Sequence, residues 1–411
     1  MGRAGTLRRP RSTLHDGTLF QPRRPAFWAY VAIIVATTFV LFGEQSALRG
    51  ISPIGWTLSW GLLVLYALPV LVLVYTLDLY EREPFSLVIG ALVWGAVAAT
   101  TLAGFANDGW GLVIARVGGP EFAARWTAAL TAPFVEEILK GCGVVLIYLI
   151  APDEIDDMMD GFVYGAVCGL GFAVVEDVFY FMGVFGGHPA DVLQGFFVRV
   201  VASGLYSHVL YTGLVGMGIG YFVSRRERRP LGRRIAVVAG LAAAAVVGHF
   251  LWNSPLLDLF PARPWAGGDW LMIPVATGVK GLPLLGCVGL TVVLARRQER
   301  AWLRGALASE IGAEGVSVGE LAILERPARR REAVRIMRRR AGTRAAGLLR
   351  RLQREQVNLA MIRSKVTVAD DPALLEQRAY CGSLRDSLRA IPGAAPADAE
   401  APTADAGPGG G

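Results

Sequence analysis

Phe134-Val135-Glu136-Glu137-Ile138-Leu139-Lys140 is the stretch on which the reading of this chain turns. It sets two carboxylates and an ammonium inside an apolar segment that runs from about Ala128 to Ile150, the length that crosses the hydrocarbon core of a bilayer. Ionisable groups at that depth are costly, so they face a protein interior and mark function. The rest of the chain is read for what these charges work with.

Outside the heptad the sequence is that of a membrane protein. It has 411 residues, 53% of them hydrophobic and 18% charged, with a mean hydropathy of +0.44, too apolar for a soluble domain. Apolar windows recur near residues 27–43, 54–77, 86–106, 128–150, 161–185, 200–223, 235–253 and 271–295. The expectation is an all-α polytopic bundle of about eight transmembrane helices. A basic N-terminus (1–26) precedes the membrane domain (27–295). A basic helical extension (296–392) follows it, and then an Ala-, Pro- and Gly-rich tail (393–411) expected to be disordered.

The basic residues give the expected orientation. Arg3, Arg8, Arg9, Arg11, Arg23 and Arg24 place the N-terminus in the cytoplasm, and the Arg225–Arg234 loop and Arg296-Arg297 agree with an even number of spans. Both termini are then cytoplasmic. The net charge of +7 belongs to this topology, and no nucleic-acid partner follows from it. Lipid is the expected partner of the membrane domain; the basic face of the extension suits anionic head groups and, at least equally, a solvated surface. Cys142, Cys168, Cys287 and Cys381 form no disulfide framework and read as packing residues.

At about 1.5 Å per helical residue, Glu136, Glu176, His208 and His249 fall in one layer roughly 6–14 Å below the outer surface, each on a different span. Three of the four histidines lie beyond Gly187. Lys140 stands four residues from Glu136 and three from Glu137, within reach of either on one helix face. Phe172 shares a face with Glu176, as does Asn253 with His249.

Such a set suits two chemistries. A Glu can act as general base on water that attacks a carbonyl, while His249 and Asn253 polarise the carbonyl oxygen. Alternatively His208, His249 and Glu176 can ligate Zn²⁺. No His-Glu-x-x-His segment is present, so both stay open. A proton-coupled or cation transporter using the same Glu/His layer is the competing reading, although the two halves show no clear repeat.

Several motifs then occur in an order that resembles the PrsW family of bacterial intramembrane proteases. They are Tyr80-Glu81-Arg82-Glu83-Pro84, Pro133 to Lys140, Asp160 to Gly165, Gly169 to Glu176, His208, and His249 to Asn253. That family belongs to a superfamily with type II CAAX prenyl proteases and bacteriocin-processing enzymes. The resemblance covers roughly Phe27 to Arg296. It implies an intramembrane endopeptidase of the bacterial cell membrane acting on a single-span protein such as an anti-sigma factor. Glu136 and Glu137 would be the catalytic carboxylates, completed by Glu176, His208 and His249. Family members are often described as metalloproteases, and CAAX-type relatives also support a metal-free glutamate mechanism, so Zn²⁺ stays open. CAAX-type members carry His where this chain has Glu176, and Asp177 stands where PrsW sequences commonly have Asn.

Overall fold

The computed structural model describes residues 17–76, 83–202, 207–226, 229–255, 272–312, 315–366 and 368–394. Outside them lie Arg3 to Arg11 of the basic N-terminus, Tyr80-Glu81-Arg82, Glu227-Arg228, Arg263 and the tail from residue 395. The protein is all-α as expected, 87% helical, with no strand among the described residues. It divides into two compact units, one formed by Gly17–Val292 and one that includes Val293 onward.

In the first unit α1 (Pro25–Ile51) and α2 (Pro53–Tyr75) start on prolines, which lack only a donor that the first turn leaves unused. α3 (Phe85–Val93) continues through a π-helical turn, Trp94–Ala99, into α4 (Thr100–Gly118). Gly119, at φ +86°, reverses the chain into α5 (Pro120–Ile150). α6 (Met158–Phe179) opens with a reciprocal Asp157/Asp160 capping box and ends in a π-helical turn, Tyr180–Val184. After α7 (Pro189–Phe196) comes a third π-helical segment, Phe197–Ala202. α8 (Ser207–Ser224), α9 (Leu231–Asn253) and α10 (Met272–Leu307) follow.

Five helices are long and apolar enough to cross a membrane: Pro25–Ile51, Pro53–Tyr75, Phe85–Gly118, Met158–Val184 and Leu231–Asn253, with His208–Ser224 a shorter apolar helix. The expected count of eight is not matched one for one. The fourth window corresponds to α5, whose charges interrupt its apolarity, and the eighth falls within α10. Of the sixth window, 200–223, residues 200–202 belong to the π-helical segment Phe197–Ala202, residues 203–206 lie outside the described ones, and Ser207–Ser224 form α8.

Outward faces of α1, α2 and α4 carry exposed Phe39, Phe42, Leu65, Val72, Leu112 and Val117, the surface that lipid covers. α6 is the reverse, buried along nearly its whole length. It packs on α8 through small residues. A Cβ at Gly161, Gly165 or Gly169 would overlap the carbonyl of Gly216, Thr212 or His208 respectively, so only glycine permits this separation. Elsewhere the indole of Trp94 donates to the Leu139 carbonyl (2.9 Å), tying the first π-helical turn to α5.

In the second unit α11 (Val318–Leu324), α12 (Pro327–Lys365, broken at Gly342) and α13 (Pro372–Arg389) follow the end of α10. Leu352, Tyr380, Cys381 and Leu384 form its core. Buried Glu310 is gripped by Arg378 through two bonds of 2.6 and 2.9 Å. All four cysteines are free.

Candidate active site

α5 contributes the centre of the site. Pro133 withdraws one backbone donor inside the helix, and Glu136, Glu137 and Lys140 follow on its buried side, 3%, 3% and 0% exposed. The Lys140 ammonium lies 2.7 Å from Glu137 Oε1 and 3.4 Å from Glu136 Oε2, over the Phe172 ring at 4.1 Å. A fully buried cation persists only with such partners, because neither it nor the carboxylates recover their hydration otherwise.

Two further helices bring the imidazoles. His208, near the start of α8, sets Nδ1 3.0 Å from Lys140 Nζ and Nε2 3.0 Å from Glu176 Oε2. His249, near the end of α9, stacks on Tyr211 at 4.9 Å and lies 5.1 Å from the His208 ring. Its Nε2 is 3.8 Å from Glu136 Oε2 and its Nδ1 3.3 Å from Glu137 Oε1. The layer inferred from spacing is thus one connected cluster of side chains drawn from α5, α6, α8 and α9.

The two adjacent carboxylates differ in their bonding. Glu137 has Lys140 on one oxygen and the Thr212 hydroxyl, at 2.9 Å, on the other. Glu136 holds only a 3.3 Å bond from Asn107 and the 3.4 Å contact with Lys140, and its Oε2 faces both histidines.

Glu136, His208 and His249 also form a group able to hold a metal, with ligand atoms within 4.8 Å of one another. This differs by one carboxylate from the expected His208, His249 and Glu176, since Glu176 binds His208 from the far side. Two imidazoles and a carboxylate are a donor set that zinc accepts, and His249 Nδ1, which makes no hydrogen bond, adds a spare lone pair or proton.

Asn253 lies one turn beyond His249. Its amide donates to the Ala128 carbonyl at 3.3 Å, and both residues line a polar cavity of about 40 Å³, room for a water or two. Tyr66, Glu176, Asp177, Tyr180, Arg199 and Trp252 line it as well. Arg199, Thr212, Asn107 and Tyr211 were not singled out from the sequence. Of these only Arg199 carried a signal, a lone charge in an otherwise apolar run.

Fold and cluster together define a class, a polytopic helical membrane protein with a carboxylate, imidazole and ammonium centre buried among its spans. Residues 83–279 match the model of the PrsW family intramembrane metalloprotease. Protease PrsW of Geobacillus kaustophilus (strain HTA426) is 26% identical over 204 residues, 48% of this chain and 72% of that protein. Protease PrsW of Bacillus subtilis (strain 168) is 30% identical over 151 residues, 37% of this chain and 61% of that protein, so the chain spans under two thirds of it. No solved structure matches. Residues 83–279, the part that carries the whole cluster, are thus similar to the PrsW family of intramembrane proteases.

Proposed function

We propose that the protein is an intramembrane endopeptidase in which Glu136 activates the water that attacks a peptide bond of a single-span membrane protein. The observation that carries this reading is the asymmetry of the pair. Glu137 is committed to Lys140 and Thr212 at hydrogen-bonding distance, whereas Glu136 Oε2 faces His208 and His249 across 4.0 and 3.8 Å. A base must be free to take a proton, and the less committed carboxylate is the one that can. Lys140 keeps a positive charge beside the pair, so a proton taken by Glu136 leaves Glu137 charge-balanced.

In this reading His249 and Asn253 polarise the scissile carbonyl, which is supported by both residues lining the same polar cavity. Glu176 orients His208, and Phe172 shields the ammonium face. If Zn²⁺ is bound, Glu136, His208 and His249 would hold it, and the ion would polarise water and carbonyl. Glu136 is needed either way, as base or as ligand. Metal content separates the two: one zinc per purified protein, lost in His249→Ala, supports the ion, and none in either removes it.

The expected cytoplasmic termini place the cluster nearer the outer face. An anti-sigma factor is one substrate that fits attack from that side. The test compares the proteomes of membranes holding the wild-type protein and the Glu136→Gln, Glu137→Gln double variant. One single-span protein accumulating uncut in the variant supports the reading. Identical membrane proteomes would overturn it.

A further inference from the structure

We infer that Arg199 is a positioning residue that acts through Glu176 to hold His208 in one tautomer, with its Nδ1 lone pair accepting from Lys140. Only the effect on cleavage rests on the protease reading; the geometry stands without it.

An ammonium donates and never accepts. Lys140 Nζ lies 3.0 Å from His208 Nδ1, so Nδ1 is the acceptor and carries no proton. The proton of the neutral ring is then on Nε2, which donates to Glu176 Oε2 at 3.0 Å. The tautomer therefore depends on Glu176 staying where it is.

Arg199 is what keeps it there. Its Nη2 donates to the same Glu176 oxygen at 2.9 Å, and its Nε donates to Asp177 Oδ1 at 2.5 Å. Its guanidinium lies over the Tyr180 ring at 3.5 Å. The planar fork thus bridges two successive carboxylates of α6 while its face rests on an aromatic ring, a geometry that a lysine cannot reproduce. Both Arg199 and Tyr180 sit in π-helical segments, a wide turn found mostly where a side chain is aimed at a functional site. Without Arg199, Glu176 and Asp177 would be adjacent acids lacking their shared cation. Glu176 would be free to swing toward Lys140, and the Nε2–H of His208 would lose its acceptor. Either nitrogen could then carry the proton, and a proton on Nδ1 would face an ammonium.

One consequence concerns the metal-capable group. The His208 nitrogen that faces Glu136 is Nδ1, at 4.0 Å. Arg199 thus acts through Glu176 and decides which His208 nitrogen carries the proton, the role of a carboxylate partner behind a histidine.

The test uses full-length protein with ¹⁵N-labelled histidine in lipid nanodiscs. Four histidines keep the spectrum simple, and a His208→Gln variant assigns the signals. The wild type is expected to show a protonated Nε2 and a bare Nδ1 on His208. Arg199→Met should scramble that preference, and Arg199→Lys, which keeps the charge but not the fork, should restore it only in part.

Because Arg199→Met strands Asp177, the Arg199→Met, Asp177→Asn pair serves as the folding control. Its melting temperature should recover while the tautomer does not. With the single-span protein that accumulates uncut in the proteomic comparison as substrate, kcat should fall roughly 10–100-fold in both variants at unchanged KM. A wild-type His208 pattern in folded Arg199→Met, or its recovery in the double variant along with the fold, would overturn the proposal. Failure of the protease reading would show separately, as the absence of any accumulating substrate with the tautomer result intact.

Discussion

Replacing Lys140 with Met keeps the side-chain volume but removes the one ammonium of the cluster. The wild-type ammonium is fully buried, 2.7 Å from Glu137 and 3.4 Å from Glu136. After the change, Glu137 is left with the Thr212 hydroxyl and the His249 ring at 3.3 Å, and Glu136 with the Asn107 amide and the two imidazoles at 3.8 and 4.0 Å. Removing one partner of a buried ion pair costs about 3–5 kcal/mol, chiefly because the remaining charge stays buried and unpaired. At about 2–4 °C per kcal/mol for a unit of this size, the melting temperature should fall by roughly 6–20 °C. Adding Glu137→Gln deletes one of the stranded charges, so the double variant should regain at least half of the loss. The pair forms a double-mutant cycle whose coupling term measures the interaction itself. Tryptophan fluorescence of protein in nanodiscs reads the transition. A Lys140→Met variant melting with the wild type, or a double variant less stable than the single one, would refute the assignment of Lys140 as the counter-charge.

Other expectations follow from single contacts. Thr212→Val removes a charge-assisted hydrogen bond to Glu137 without changing shape, and should cost about 1.5–3 kcal/mol in the same melting assay. Gly165→Ala puts a methyl into the α6–α8 seam. It should destabilise by about 1–3 kcal/mol and slow cleavage by moving Thr212 and His208 off Glu137 and Glu176, whereas Gly240→Ala, with open space at its Cβ, should do neither. In the second unit, Cys381 is fully buried and burial pushes its thiol up to about 12. It should resist maleimide at pH 8 until the unit unfolds. With the native thiol held neutral, its contribution to stability is complete below the ordinary thiol value near 8.5 and is lost as pH rises toward 12. Arg378→Ala should destabilise the second unit by about 1.5–3 kcal/mol, because it leaves buried Glu310 with the longer Arg363 contact at 3.6 Å; circular dichroism during a thermal scan would show it.

Hydropathy and charge in the linear chain determined that this is a helical membrane protein and drew out Glu136, Glu137, Lys140, Glu176, His208 and His249 as candidates for one site. They could do so because lipid penalises every charge, which makes each intramembrane ionisable residue conspicuous without any knowledge of its neighbours. Helical spacing further paired Lys140 with its two carboxylates, since partners three and four residues apart meet on any α-helix. What lay beyond local geometry was settled by the tertiary structure alone. It placed Thr212 on Glu137 across 75 residues and Asn107 on Glu136 across 29, and it joined Arg199 to residues 22 and 23 positions away. It also put Glu136, not Glu176, beside the two imidazoles as the third metal-capable ligand. Such choices depend on how closely α6 and α8 approach through their glycines and on where the helical register widens into π turns. Neither is encoded in the periodicity of one segment, because both arise only when the spans pack against each other.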